Sequence, residues 1–193
     1  NPQEHKSLSL GIALGGKGAM ELGLTIPLQT YLKIKQLEDR TQKDLFFCWE
    51  LHRIQLQSRD TLVAVNSSNR LAVVMSGMDG AAWRDFPLVF TQGLRQVLGA
   101  EGYRSCQIEA YLSQAGPLKL TRTHGRRSVA GLNRMDDCLW SVPVLVDETR
   151  LFQQVHCMEA NRQRCRMAGH EGYQEPSYCW EIDMDARQLL HIC

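Results

Sequence analysis

The chain has 193 residues, enough for one domain, or for one domain with a substantial appendage, that folds without disulfide staples. Hydrophobic residues make up 44% and charged residues 22%, which excludes wholesale disorder. A net charge of +1 gives no global pull toward nucleic acid or anionic lipid, and no apolar run approaches the roughly 20 residues that cross a bilayer, so no membrane association is expected.

Residues 8–14 form a short apolar run that reads as a strand, and "KGAMELGL" after it reads as one or two helical turns ending at Gly23, with Pro27 closing the unit. Lys6 ahead of that run has the outline of a secretory leader, but Ser and Gly dilute it and it stops at Lys17. The stretch "LQTYLKIKQLEDRTQKD" alternates weakly over 31–34 and then becomes a charged loop. "LFFCWELHRIQL", "TLVAVNSS" and "RLAVVMSG" are rich in β-branched and aromatic residues, and the last two are joined by "NSSN", whose side chains favour a hairpin turn. They predict an antiparallel meander.

Phe86, Phe90, Leu94, Val97 and Leu98 fall on one helical stripe, with Asp85 placed to cap it. A second short helix carries Ile108, Tyr111 and Leu112 and ends at Gly116-Pro117. "LKLTRT" alternates as a strand, and "RSVAGLNRMDDCLW" reads as a helix with Val129, Leu132, Met135 and Leu139 inward. Beyond Pro143 come "VLVDETR", a basic helical pattern over 151–167, and a tail, 169–193, with five acids between Glu171 and Asp185. The expected class is α+β: an antiparallel sheet of three or more strands, helices packed on one face, and a helical, acidic C-terminal extension. Residues 1–150 read as the domain and 151–193 as a helix and acidic tail packed on it.

Chemistry-bearing stretches are few. "GIALGGKG" nearly matches a phosphate loop, but Gly18 stands where a hydroxyl must hold Mg²⁺. Cys48, Glu50 and His52 alternate along one strand and share a face, making them the candidate residues for an enzyme or a metal-binding trio; with Trp49 and Leu51 buried, the same pattern leaves the three in water. The seven cysteines (Cys48, Cys106, Cys138, Cys157, Cys165, Cys179 and Cys193) show neither CxxC pairs nor a regular framework, and read as reduced thiols of a cytoplasmic protein. His156, Cys157, Cys165, His170 and Cys179 fit no standard zinc spacing, and no metal or cofactor is expected.

"TRTHGRRS" gathers Arg122, His124, Arg126, Arg127 and Ser128 where a strand runs into a helix. With Ser128 as cap, the free first-turn N–H groups and the guanidinium groups form an anion site, for phosphate or nucleic acid. In the competing reading these arginines cover apolar surface and pair with the acidic tail.

Trp49, a strand ending in Asn66, a return strand opening near Arg70, and a late R-S-V-x-G-x-x-N (Arg127, Ser128, Val129, Gly131, Asn133) resemble an uncharacterised family of small bacterial proteins, a domain of unknown function, over about residues 46–140. The resemblance implies a bacterial, intracellular α+β protein, carries over no activity, and marks Asn66, Arg70, Arg127 and Asn133 as a cluster. The Arg122–Ser128 cluster makes the expected function that of a cytoplasmic anion- or nucleic-acid-binding accessory domain. The alternatives are an enzyme using Cys48, Glu50 and His52, and a protein-interaction module using 169–193 with Trp180 as its anchor.

Overall fold

The computed structural model describes residues 18–193, so the run at 8–14 and most of the phosphate-loop look-alike lie outside the described residues. Strands β1 (Met20–Leu24), β2 (Cys48–Leu56), β3 (Arg59–Asn66), β4 (Ala72–Ser76) and β5 (Leu118–Arg122) form one sheet in the order β4-β3-β2-β1-β5. Around it lie α1 (Ile26–Leu32), a 3₁₀ turn (Leu45–Phe47), α2 (Gly80–Arg84), α3 (Phe86–Ala100), α4 (Ser105–Ala115), α5 (Arg126–Ser141), α6 (Gln154–Arg162) and α7 (Pro176–Ala186). The class is α+β.

The meander is present as antiparallel β2-β3-β4, but the sheet is mixed, because β1 pairs parallel with both β2 and β5. That corrects the expectation of a purely antiparallel sheet. The missed strand is β1, read as helical turns from "KGAMELGL"; Met20, Leu22 and Leu24 alternate with Glu21 and Gly23 at strand period, and all five residues are buried. Gly and Glu obscured the pattern.

Helices cover both faces of the sheet, not one. A Cβ at Gly93 of α3 would meet Val73 and Met75, whereas one at Gly131 of α5 would meet Val65, which points to the opposite side. The physical reason lies in β3 and β4: "TLVAVN" and "AVVMS" are buried at every position, so each face needs a covering layer. The outer edge of β4 is also closed. Ala72 N–H donates to Asn161 Oδ1 (2.7 Å) and Val74 N–H to Cys157 Sγ (3.3 Å), both from α6, while Ser76 N–H reaches Leu151 O (2.7 Å).

On the α3 side, Trp49, Phe46, Phe90, Tyr111 and Trp180 pack as an aromatic group with ring centroids 4.7–5.8 Å apart. The Trp49 indole N–H donates to Tyr111 Oη (3.0 Å), which donates to Phe46 O (2.9 Å). The acidic tail thus contains a helix, α7, whose Trp180 and Met184 are wholly buried in the main core. Trp180 is a core residue, which removes it as an anchor for a partner. Cys106 and Cys193 form a disulfide between α4 and the end of the chain, correcting the expectation of seven thiols; the other five cysteines are free and buried.

Candidate functional site

The face of the sheet under α5 carries Glu21 and Gly23 on β1 next to Cys48 and Glu50 on β2, because β1 and β2 run in parallel register with Glu21 opposite Cys48 and Gly23 opposite Glu50. The chain leaves β5, folds back over this face and inserts His124 between the two carboxylates. Its Nδ1 lies 2.6 Å from Glu50 Oε1 and its Nε2 2.8 Å from Glu21 Oε2. The close approach requires Gly23, where a Cβ would sit 2.6 Å from Glu50 Oε2 and 2.9 Å from Thr123 Cα.

Each group is further held. Glu50 Oε1 also accepts from Ser67 Oγ (3.0 Å) and from the backbone N–H of His124 (2.9 Å), while Glu50 Oε2 is buried without a hydrogen-bond partner. Glu21 Oε1 accepts from the backbone N–H groups of Thr41 (2.5 Å) and Gln42 (2.8 Å), and Lys119 Nζ stands 4.0 Å away. The His124 side chain is 5% exposed and those of Glu21 and Glu50 are 0% and 1%.

Burial alone depresses the pKa of an imidazole, but bonding to Cys48 and Glu50 and the negative charge around it push His124 up to about 10, so the ring is a doubly donating cation at neutral pH. Burial raises Glu21; the amides of Gln42 and Thr41 together with His124 reverse that and bring it below its ordinary value. Cys48 is buried, and burial pushes its thiol up despite the contact with His124. A catalytic thiol needs the opposite, exposure and a depressed pKa.

The sequence grouped Cys48 and Glu50 with His52. His52 instead faces Thr25 Oγ1 (2.8 Å), and the imidazole that meets the pair is His124, 74 residues beyond Glu50. Glu21 was missed, although a carboxylate in the middle of "MELGL" is the sign of a buried charge with a partner.

Loss of His124 to this cluster divides the arginine site expected at "TRTHGRRS". Helix α5 begins at Arg126, with Gly125 at its cap position (φ 113°), so Ser128 is buried within the first turn and does not cap it. No side chain caps this end. Arg126 is exposed, and Arg122 lines a cavity of about 800 Å³ on which Glu38, Asp39 and Arg40 also border. Mixed charge there argues against anion capture.

Arg127 lines a second cavity, about 500 Å³, with Arg70, Arg166 and His170. Arg70 has positive φ (61°) and donates from Nη2 to Arg127 O (3.2 Å), so the two arginines marked by the resemblance do meet. Asn66 meets Arg70 through its backbone, its C=O accepting from the Arg70 N–H (3.0 Å), but neither Asn66 nor Asn133 lines the cavity. Asn66 shapes the β3-β4 turn, accepting from the N–H groups of Ser68 (3.0 Å) and Asn69 (3.3 Å), and Asn133 is on the exposed side of α5. Arg166, after α6, was not singled out by any local pattern.

Among the described residues no ion pair joins Arg70, Arg127 or Arg166 to a carboxylate; in the acidic tail, Asp183 pairs with His170 (3.1 Å) and Arg187 (3.5 Å), and Asp185 with His191 (3.2 Å). The tail thus supplies a carboxylate to His170 at the edge of the cavity, but none to its three arginines.

A family model described as a domain of unknown function (DUF6933) matches residues 21–178, from the buried Glu21 to the second residue past the start of α7. No curated protein matches the chain.

Proposed function

The chain belongs to the DUF6933 family, a domain of unknown function, and from the geometry of the arginine-lined cavity we propose that it binds a small phosphate-bearing ligand through Arg70, Arg127 and Arg166. The observation that carries this reading is that three arginines, from the β3-β4 turn, the start of α5 and the segment after α6, line one cavity with no carboxylate in its lining. Arginine presents a planar fork that matches two phosphate oxygens, and each charge-assisted pair contributes about 1.5–3 kcal/mol. The uncapped end of α5 adds the positive end of a helix dipole.

A volume of about 500 Å³ suits a nucleotide-sized molecule and favours it over a nucleic-acid strand, for which a longer basic track is required. Five free thiols against one disulfide suit a reducing compartment, and we place the protein in the cytoplasm.

Calorimetric titration with pyrophosphate, a panel of nucleotides and sugar phosphates, and short DNA and RNA tests the proposal. One or more small phosphates bind the wild type, and Arg127→Ala/Arg166→Ala weakens that binding at least tenfold. Tight binding of oligonucleotides alone would replace the small ligand by a nucleic acid; indifference to the whole panel would end the reading.

A further inference from the structure

We propose that Glu21, Cys48 and His124 form a binding site for one transition-metal ion, zinc by the chemistry of the donors, with Glu50 as the group that orients the histidine. One donor atom from each of the three residues lies within 4.8 Å of the other two. A tetrahedral zinc ion with ordinary bonds to O, N and S places its donors about 3.3–3.6 Å apart. The 2.8 Å between His124 Nε2 and Glu21 Oε2 therefore has to widen by about half an ångström to admit the ion.

Three further features fit a metal. The Nδ1 of His124 is held by Glu50 Oε1 at 2.6 Å, the carboxylate–histidine arrangement that turns the opposite ring nitrogen toward a metal. Two of the three ligands sit opposite each other on adjacent, fully buried strand segments, so the site is pre-formed on rigid backbone. Glu50 Oε2 is buried and has no hydrogen-bond partner, a cost that a cation close by offsets.

The exchange also balances in charge. A divalent ion entering the site displaces one proton from the His124 imidazolium and one from the Cys48 thiol, both released to solvent. The buried cluster keeps its net charge. A thiolate, an imidazole and a carboxylate together select zinc or cobalt over magnesium or calcium.

The test uses the full chain, stripped with a chelator and titrated with cobalt(II) alone. The expected result is one equivalent bound, with visible d–d bands and a thiolate-to-cobalt charge-transfer band that zinc abolishes. Cys48→Ser should lose the charge-transfer band, and Glu50→Gln should keep it while binding 10–100-fold more weakly. Should Cys48→Ser not fold, alkylation of the wild type read by mass spectrometry decides, since bound zinc should protect Cys48 and leave the other four free thiols unchanged on mild unfolding. No band at one equivalent of cobalt, a band that survives in folded Cys48→Ser, or no protection of Cys48 would each overturn the proposal. None of these readouts involves the arginine cavity.

Discussion

The imidazole Nδ1 of His124 lies 2.6 Å from Oε1 of Glu50, and the backbone N–H of His124 donates to the same oxygen at 2.9 Å. One carboxylate oxygen thus pins both the side chain and the main chain at the entrance to α5. With Nε2 bound to Glu21, the link ties β1, β2 and the loop after β5 together, and it sets where α5 begins and so where Arg127 stands.

Removing the cation from this cluster leaves two buried carboxylates facing each other. His124→Ala is expected to lose about 3–5 kcal/mol of stability, measured by guanidinium denaturation in the presence of a chelator. A loss under 1 kcal/mol would mean that water or Lys119 replaces the imidazole at little cost.

The arginine cavity predicts a response to simple dianions. Sulfate should raise the melting temperature of the wild type more than chloride at matched ionic strength, through ligand linkage, and Arg127→Ala/Arg166→Ala should abolish the difference. Raising salt should weaken phosphate binding, because the contacts are electrostatic and partly exposed.

Acid stability should depend on the Arg187–Asp44 pair. Burial pushes the Asp44 carboxyl up, but Arg187, donating at 2.8 and 2.6 Å, and the Phe46 N–H hold it below its ordinary value of 3.8. A carboxylate lowered in the folded state stabilises above its unfolded value, and the contribution is lost as pH falls through the lower folded one. Because the Asp44 side chain is 38% exposed, the pair is screened. A double-mutant cycle with Asp44→Asn and Arg187→Ala should give a coupling of about 0.5–1 kcal/mol at pH 7 that vanishes below the folded-state value.

Trp180 makes the acidic tail a structural element. Trp180→Ala should cost about 3–5 kcal/mol, and deletion of 176–193 should yield a chain without a cooperative thermal transition. A truncated chain that melts like the wild type would return the tail to the role of an appendage.

Titration of thiols in denaturant should give five without reductant and seven with it, following the Cys106–Cys193 bond. The bond closes a span of 87 residues, so its loss should cost up to about 4–5 kcal/mol by loop-closure entropy.

Local pattern carried the α+β class, the three-stranded meander, α3, α4, β5 and α5, since each rests on a hydrophobic period that neighbours along the chain already display. It also marked Cys48, Glu50 and Arg127, while Arg70 came from the family resemblance alone. The near-continuous apolar runs of β3 and β4 held the sign that both faces of the sheet are covered, whereas the one-sided packing expected from strands grouped before helices overlooked it. Strand β1 was hidden by Glu21 and Gly23, which pair with β2 and β5 and lie beneath His124 and Thr123.

Partnership between distant charges has no period. A strand's alternation states which side His52 faces, but not that a histidine 74 residues past Glu50 arrives on that same side and takes its place. The amino-acid order therefore determined the elements and the residue types available for chemistry. Only the parallel insertion of β1 between β2 and β5 decided which of those residues meet, because it brings Glu21, Cys48, Glu50 and His124 to one buried point and so leaves Arg127 free to face Arg70 and Arg166.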